Sequence, residues 1–328
     1  MKEDTLAIAL TRKMLWSMQF CLFILSVCSL SQGQVAQQIG GPADRIYVAG
    51  SGLYATNPNT GHLWKYNSAP LRLSRQAWTD IGDAEYEFAA DDSTIYAISK
   101  DQSSVWQYTG TGREWTTLFA PPGGKLDGIY AGGSGLYVRN TKGLWKYGHY
   151  KLLGKDAPGW LNWKRVGDWG YSFAVGANTI WACFTDVGGV YEYVSGGTFD
   201  GSYQVAGGST PPIWKSIGLA AKAIYTDTGG YSVWAIERDT FAVRVYTGNA
   251  KVWNKVLNSL EQQTVNLAFT KYWLYGQSYG KNNLWRATNL GANNWQWKLV
   301  ATDVIRTAAA GNIVYFTDSK GVWQLKDP

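Results

Sequence analysis

From Trp78 to Trp115 the chain reads WTDIGDAEYEFAADDSTIYAISKDQSSVWQYTGTGREW, and this pattern returns, altered but in phase, to the end of the sequence. The stretch holds four short apolar runs, Trp78 to Gly82, Tyr86 to Ala90, Thr94 to Ile98 and Val105 to Tyr108. Asp, Ser, Gly and Thr separate them, which is how strands joined by tight turns are written. None is long enough or suitably periodic for a helix, and the alternation from Val105 to Tyr108 puts Trp106 and Tyr108 on one face of a strand. The stretch is therefore expected to form one antiparallel four-stranded sheet.

Trp78, Trp115, Trp163, Trp214, Trp253 and Trp297 open six such units, spaced by 37, 48, 51, 39 and 44 residues. Gly82, Gly167 and Gly218 recur at one offset from their Trp. The fourth runs agree best: Val105 to Tyr108, Leu144 to Tyr147, Val190 to Tyr193, Val243 to Tyr246, Leu284 to Ala287 and Val322 to Leu325. A degenerate copy precedes them, with Arg45 to Val48, Gly52 to Ala55 and Leu63 to Tyr66, and with Val35 to Gly40 in the Trp-strand position but without the Trp. Seven units of roughly 40 to 50 residues with four strands each predict an all-β fold, a seven-bladed β-propeller of four-stranded antiparallel blades. Six blades is the alternative count, because the first strand of unit one rests on Val35 to Ile39 alone. Composition agrees: 18 Trp, 21 Tyr and 38 Gly against 16% charged residues favour turns and aromatic strands over helices.

The repeats place a single propeller domain at residues 34–328. Residues 1–33 read differently. Lys2, Arg12 and Lys13 precede an apolar run from Leu15 to Leu30, closed by Ser31, Gln32 and Gly33. That is the layout of a secretory signal peptide cut after Gly33 or Ser29, with a signal anchor as the rival reading. The mature chain is then expected to be secreted and extracellular, with no membrane span. Cys21 and Cys28 leave with the signal, so Cys183 has no partner for an intramolecular disulfide and is expected to be a small buried hydrophobe.

The full chain carries a net charge of +6, and removing the signal leaves 27 basic against 22 acidic residues. Lys and Arg are scattered and form no five-residue run, which argues against a nucleic-acid groove. Only His62 and His149 exist, neither beside a nucleophile motif or at metal-ligand spacing. Neither a phosphate loop nor a dinucleotide or Ca²⁺ motif occurs. No catalytic residue, cofactor or metal is expected. Asp91 and Asp92, or Asp83 with Glu85 and Glu87, offer carboxylate pairs, which turn capping explains.

What repeats is aromatic surface. Trp64, Trp106, Trp145, Tyr191, Trp285 and Trp323 occupy one place in successive units. They either pack between blades or stand in grooves and stack on sugar rings. The order Trp-x-x-Ile-Gly, Phe-Ala-Ala-Asp, Thr-Ile-Tyr-Ala-Ile and Val-Trp-Gln-Tyr-Thr-Gly resembles the tectonin repeat over residues 34–328. Tyr-Ala-Ile or Trp-Ala-Ile stands where that family has Trp-Gly-Val-Asn. The resemblance implies a propeller lectin or cell-surface recognition protein.

The leading expectation is thus a non-enzymatic carbohydrate-binding protein whose partners are glycans or cell-surface glycoconjugates. A secreted protein-interaction scaffold with a protein partner is the alternative, and a glycosidase or lyase ranks third. Two long connectors, Gly148 to Asn162 and Val194 to Ile213, belong to consecutive units. They gather His149, Tyr150, Trp160, Asp200 and Tyr203 into a further candidate site, expected beside the central channel. The ring candidates are Trp64, Trp106, Trp145, Trp285 and Trp323.

Overall fold

The computed structural model describes residues 35–50, 52–67, 77–148, 162–168, 170–184, 189–195, 213–249, 251–260, 263–289 and 295–327. Among them run 28 strands and no α-helix. β1 (Gln37–Gly40) comes first. Blade 1 is β2 (Ile46–Ala49), β3 (Gly52–Thr56), β4 (Leu63–Tyr66) and β5 (Trp78–Gly82). Blade 2 is β6 (Glu87–Ala90), β7 (Ile95–Ile98), β8 (Val105–Tyr108) and β9 (Trp115–Thr117). Blade 3 is β10 (Leu126–Gly132), β11 (Gly135–Asn140), β12 (Gly143–Tyr147) and β13 (Trp163–Gly167). Blade 4 is β14 (Ser172–Val175), β15 (Ile180–Phe184), β16 (Gly189–Ser195) and β17 (Ile213–Gly218). Blade 5 is β18 (Ala221–Thr226), β19 (Val233–Glu237), β20 (Val243–Tyr246) and β21 (Trp253–Leu257). Blade 6 is β22 (Thr264–Phe269), β23 (Leu274–Ser278), β24 (Leu284–Asn289) and β25 (Trp295–Ala301). Blade 7 takes β26 (Arg306–Ala310), β27 (Ile313–Thr317) and β28 (Val322–Lys326) from the end of the chain and β1 from its start.

Every sheet is antiparallel, and the first strand of each blade touches the first strands of both neighbours, from β2 through β6, β10, β14, β18, β22 and β26 back to β2. Seven blades therefore close a ring around a channel, and the six-blade alternative is excluded. The expected sheet from Trp78 to Trp115 needs correcting. Its first run, β5, pairs with β4 of blade 1, while β6, β7, β8 and β9 make blade 2. A repeat read along a chain fixes its period but not its frame. The Trp strand is the outer edge of one blade rather than the start of the next.

That frame explains the Trp-x-x-Ile-Gly signal. The indole N–H of Trp78 donates to the Ile39 carbonyl at 2.7 Å, Trp115 to Ile81 at 2.8 Å, Trp214 to Val166 at 2.8 Å and Trp253 to Ile217 at 2.8 Å. Trp297 repeats the contact on the Asn258 carbonyl at 3.0 Å. These five outer-strand Trp residues thus latch onto the outer strand of the preceding blade or, for Trp297, onto the residue just past its end. The glycine after the accepting residue makes room for the ring: a Cβ on Gly40, Gly82 or Gly167 would lie 2.7, 3.1 or 3.0 Å from the indole nitrogen above it.

The inner strands pack by alternation. Facing the second-strand aromatic stand Tyr47, Ala89, Tyr130, Ala174, Tyr225, Ala268 and Ala308 in blade order. The residue before each is Ile46, Phe88, Ile129, Phe173, Ile224, Leu267 and Thr307. A Tyr in one blade meets a Phe in the next, Tyr47 against Phe88 at 5.7 Å and Tyr130 against Phe173 at 4.7 Å between centroids. An odd ring cannot alternate all the way round. The defect falls at blades 6 and 7, which both carry Ala, and blade 7 supplies Thr307 where bulk is due.

First-to-second and third-to-fourth hairpins share one face of the ring, and neighbouring first-to-second hairpins are tied there by backbone. Ser134 N donates to Gly176 O at 2.7 Å and Ala177 N to Gly230 O at 2.8 Å. Gly230 has φ +67°, and a Cβ there would sit 2.6 Å from Ala177 N. Gly230→Ala is expected to cost about 2–4 kcal/mol by adding left-handed strain to overpacking. Urea unfolding of the two chains measures it, and an equal midpoint would show that this hairpin contact is dispensable.

Candidate binding site

The ring residues behave unequally. Trp145 is buried and gives its indole N–H to Asn140 Oδ1 at 3.0 Å. Trp323 lies parallel to Phe316, centroids 6.3 Å apart. Trp106 is half-buried against the core of blades 1 and 2. Trp285 is half-buried, and its indole N–H is covered with no acceptor among the described residues. Most of this aromatic surface is packing material between blades.

Trp64 differs. With Trp78 it lines a cleft of about 190 Å³ where the chain's first and last strands meet. Gly41, Pro42 and Ala43 of the link out of β1, Ala55, Thr56 and Asn57 at the end of β3, and Val322 complete the wall. Trp78 is fixed by its bond to Ile39, and Thr56 Oγ1 accepts from Arg45 N at 3.0 Å. Asn57 Oδ1 is committed to the turn, accepting from Asn59 N at 2.9 Å and Thr60 N at 3.2 Å. The Trp64 indole N–H is covered and finds no acceptor among the described residues. Two indoles and short polar side chains form a site that can hold a flat, oxygen-bearing group.

A second cavity, about 370 Å³, lies in the channel, walled by inner strands of blades 3 to 7. The packing defect described above borders it through Ala268, Thr307, Ala308 and Ala309. Its polar groups are Thr226, Asp227, Thr228 and Thr307. The Thr307 hydroxyl is buried without a partner among the described residues. Sequence reading missed this cavity, because the signal is a comparison across inner strands at one register rather than a motif along the chain.

The ionisable groups are structural. His62 Nδ1 lies 2.8 Å from Asp80 Oδ2, and Arg113 of blade 2 pairs with Asp80 at 2.7 Å and also with Asp83, tying blades 1 and 2. Asp91 caps its turn, accepting from Ser93 N at 2.8 Å and Thr94 N at 2.9 Å, in keeping with the turn-capping explanation. Burial, against the attraction of Arg45 and Arg139, pushes the Glu87 carboxyl upward. Cys183 is fully buried, and burial pushes its thiol up to about 12. That is the inert hydrophobe expected from its setting. Among the described residues no cluster of His, Cys, Asp or Glu is placed to hold a metal ion, and no helix is long and apolar enough to cross a membrane.

His149, Tyr150, Trp160, Asp200 and Tyr203 lie outside the described residues. The strands flanking their two connectors, β12 with β13 and β16 with β17, are the outer pairs of blades 3 and 4. Both connectors therefore attach at the rim of the ring.

No family model matches the chain, and no curated protein does. Solved structures do. Virginiamycin B lyase from Staphylococcus aureus is similar at 12% identity and a TM-score of 0.58, covering 90% of this chain and 99% of that one. YCF48 from Cyanidioschyzon merolae is similar at 12% identity and a TM-score of 0.55, covering 89% and 98%. The GH74 enzyme of Niastella koreensis is similar at 13% identity and a TM-score of 0.52, covering 90% of this chain and 53% of its own. A lyase, a glycoside-hydrolase-family enzyme and YCF48 share one fold here. Identities this low speak to the propeller alone.

Proposed function

We propose that this chain is a secreted, non-enzymatic carbohydrate-recognition protein, with residues 1–33 its signal peptide. The observation that carries the reading is the seam cleft, in which Trp64 and Trp78 stand beside Thr56 and Asn57. Sugar rings offer an apolar face for an indole and hydroxyls for short polar side chains such as those of Thr56 and Asn57. The resemblance to tectonin repeats of propeller lectins supports the same class. Among the ring candidates Trp64, Trp106, Trp145, Trp285 and Trp323, Trp64 alone lines this cleft, so the reading rests on a single site rather than on avidity from equivalent ones.

A glycan array probed with residues 34–328 tests it. Binding of a defined glycan set is expected, and Trp64→Ala is expected to weaken it at least tenfold, about 1.4 kcal/mol. Trp64→Phe, which keeps a smaller aromatic face, should fall between. An array without hits, or equal binding by all three chains, would remove the lectin reading.

One observation favours the second reading, a protein-interaction scaffold. Tyr86, Tyr171 and Ile305 are exposed, and each immediately precedes an inner strand, so they stand around the channel mouth on the face of the blade-to-blade links. Arg45, Lys222 and Arg306 are exposed beside them. YCF48 has been solved bound to D1 peptide, and it shares this fold at a TM-score of 0.52. Stoichiometric capture of one protein, unaffected by glycosidase treatment, would favour this reading over the first.

A further inference from the structure

We infer that the channel cavity is a binding site in its own right, for a small molecule that carries a protonated primary amine. The site lies apart from the seam cleft and does not depend on what that cleft binds. Three observations lead there.

The first is charge. About 370 Å³ falls in the range of small-molecule pockets, and Asp227 is, among the described residues, the one lining side chain ionised at neutral pH. Its Oδ1 accepts from Tyr231 N at 3.0 Å and from Ser232 N at 3.4 Å, which fixes the carboxylate at the channel mouth. A half-buried carboxylate beside a cavity favours a cation there.

The second is the direction of the hydrogen bonds around it. Thr226 Oγ1 donates to Val175 O at 3.4 Å, and Thr228 Oγ1 donates to Phe269 O at 3.1 Å. A carbonyl can only accept, so each hydroxyl has given up its one hydrogen and keeps only lone pairs for a ligand. Tyr225 likewise donates to Val265 O at 3.3 Å. The backbone N–H of Ile224, another lining residue, is taken by Ser172 Oγ at 3.2 Å. The Thr307 hydroxyl is covered and takes no part. Around Asp227 the wall is therefore rich in acceptors and poor in donors. That suits an ammonium group, which has three donors and no acceptor, and disfavours a carboxylate or phosphate.

The third is the rim. Tyr231 and Tyr272 are 76% and 63% exposed on the first-to-second hairpins of blades 5 and 6, which rise from the cavity-lining Asp227 and Phe269. One of these rings already carries an ammonium, since Lys271 Nζ lies 5.2 Å from the Tyr272 centroid. Tyr231 stands in the hairpin that Asp227 caps and brings a second aromatic face, of the kind that attracts cations, to the same rim.

Calorimetric titration of the full chain with phenethylamine tests the inference, and 2-phenylethanol serves as its uncharged counterpart. Saturable one-to-one binding of phenethylamine is expected at neutral pH, with the alcohol about tenfold weaker or worse. Asp227→Asn keeps an oxygen for Tyr231 N and removes the charge. It should weaken phenethylamine binding about tenfold while leaving the melting temperature unchanged. Nα-acetyl-lysine amide carries the same group on an amino-acid stem: tighter binding than phenethylamine assigns the site to a lysine side chain, weaker binding to a free amine. No saturable binding of either amine, as for a channel that holds only water, would overturn the inference. So would equal affinity for phenethylamine and the alcohol, or undiminished binding by Asp227→Asn. If Asp227→Asn unfolds, the comparison of amine and alcohol on the parent chain decides alone.

Discussion

A chain that begins at Gly41 is expected to lose about 4 kcal/mol of stability and to associate as its concentration rises. Its missing strand, β1, is the outer strand of blade 7. Without it Trp78 loses the Ile39 carbonyl at 2.7 Å, Gln324 loses Gln37 at 2.9 Å, and Lys320 O loses the Gln38 amide at 3.0 Å. Burial of the partly covered Ile39 and Ala36 goes too, about 2 kcal/mol, and the hydrogen bonds contribute about 1 kcal/mol each at most. For a domain of this size, each kcal/mol moves the melting temperature by about 2–4 °C, so a fall of about 8 °C or more is expected. β28 would then present an unpaired edge, a template for pairing with a second copy. Calorimetry and sedimentation measure both effects. A monomer with the parent's melting temperature would mean that β1 is ornamental.

Trp163→Ala is expected to be the most damaging single substitution, at about 3–5 kcal/mol. Trp163 is 0% exposed, meets Tyr147 edge-on at 5.0 Å, and sits in the core shared by blades 2 and 3 with Tyr96, Leu118 and Val138. It is also the outer-strand Trp for which no latch forms, its N–H finding no acceptor among the described residues. In place of the Ile-Gly step, β9 of blade 2 is followed by Leu118 and Phe119, the latter at φ 57°. Trp163→Phe should therefore be milder than Trp214→Phe by about 1 kcal/mol, because only the second gives up a hydrogen bond. Urea midpoints for the paired variants decide it. A reversed order would contradict the latch.

The blade count, the outer-strand Trp and the role of Gly82 and Gly167 as spaced signals were legible because each is a pattern along the chain with a fixed period. The frame was not. β5 has a strand neighbour in sequence on either side, and nothing in Trp78 to Gly82 says which it will pair with. Burial of the ring aromatics was also hidden. Trp145 and Trp64 share a repeat position, yet Asn140 captures one indole while the longer turn from Asn57 to His62 leaves the other beside a cleft. The channel cavity is walled by five inner strands that lie far apart in sequence, a juxtaposition that no local pattern announces.

Six blades each draw all four strands from one continuous segment, so each can form as soon as its own segment has left the ribosome. Blade 7 cannot. Its two outer strands meet across 287 residues, and for an unfolded chain joining ends that far apart costs about 3 kcal/mol more conformational entropy than closing a ten-residue hairpin. The strand synthesised first is therefore the last to find its place. Until β28 is made, β1 is four residues of unpaired backbone, and the half of the seam cleft that depends on Trp78 gripping Ile39 has nothing to hold.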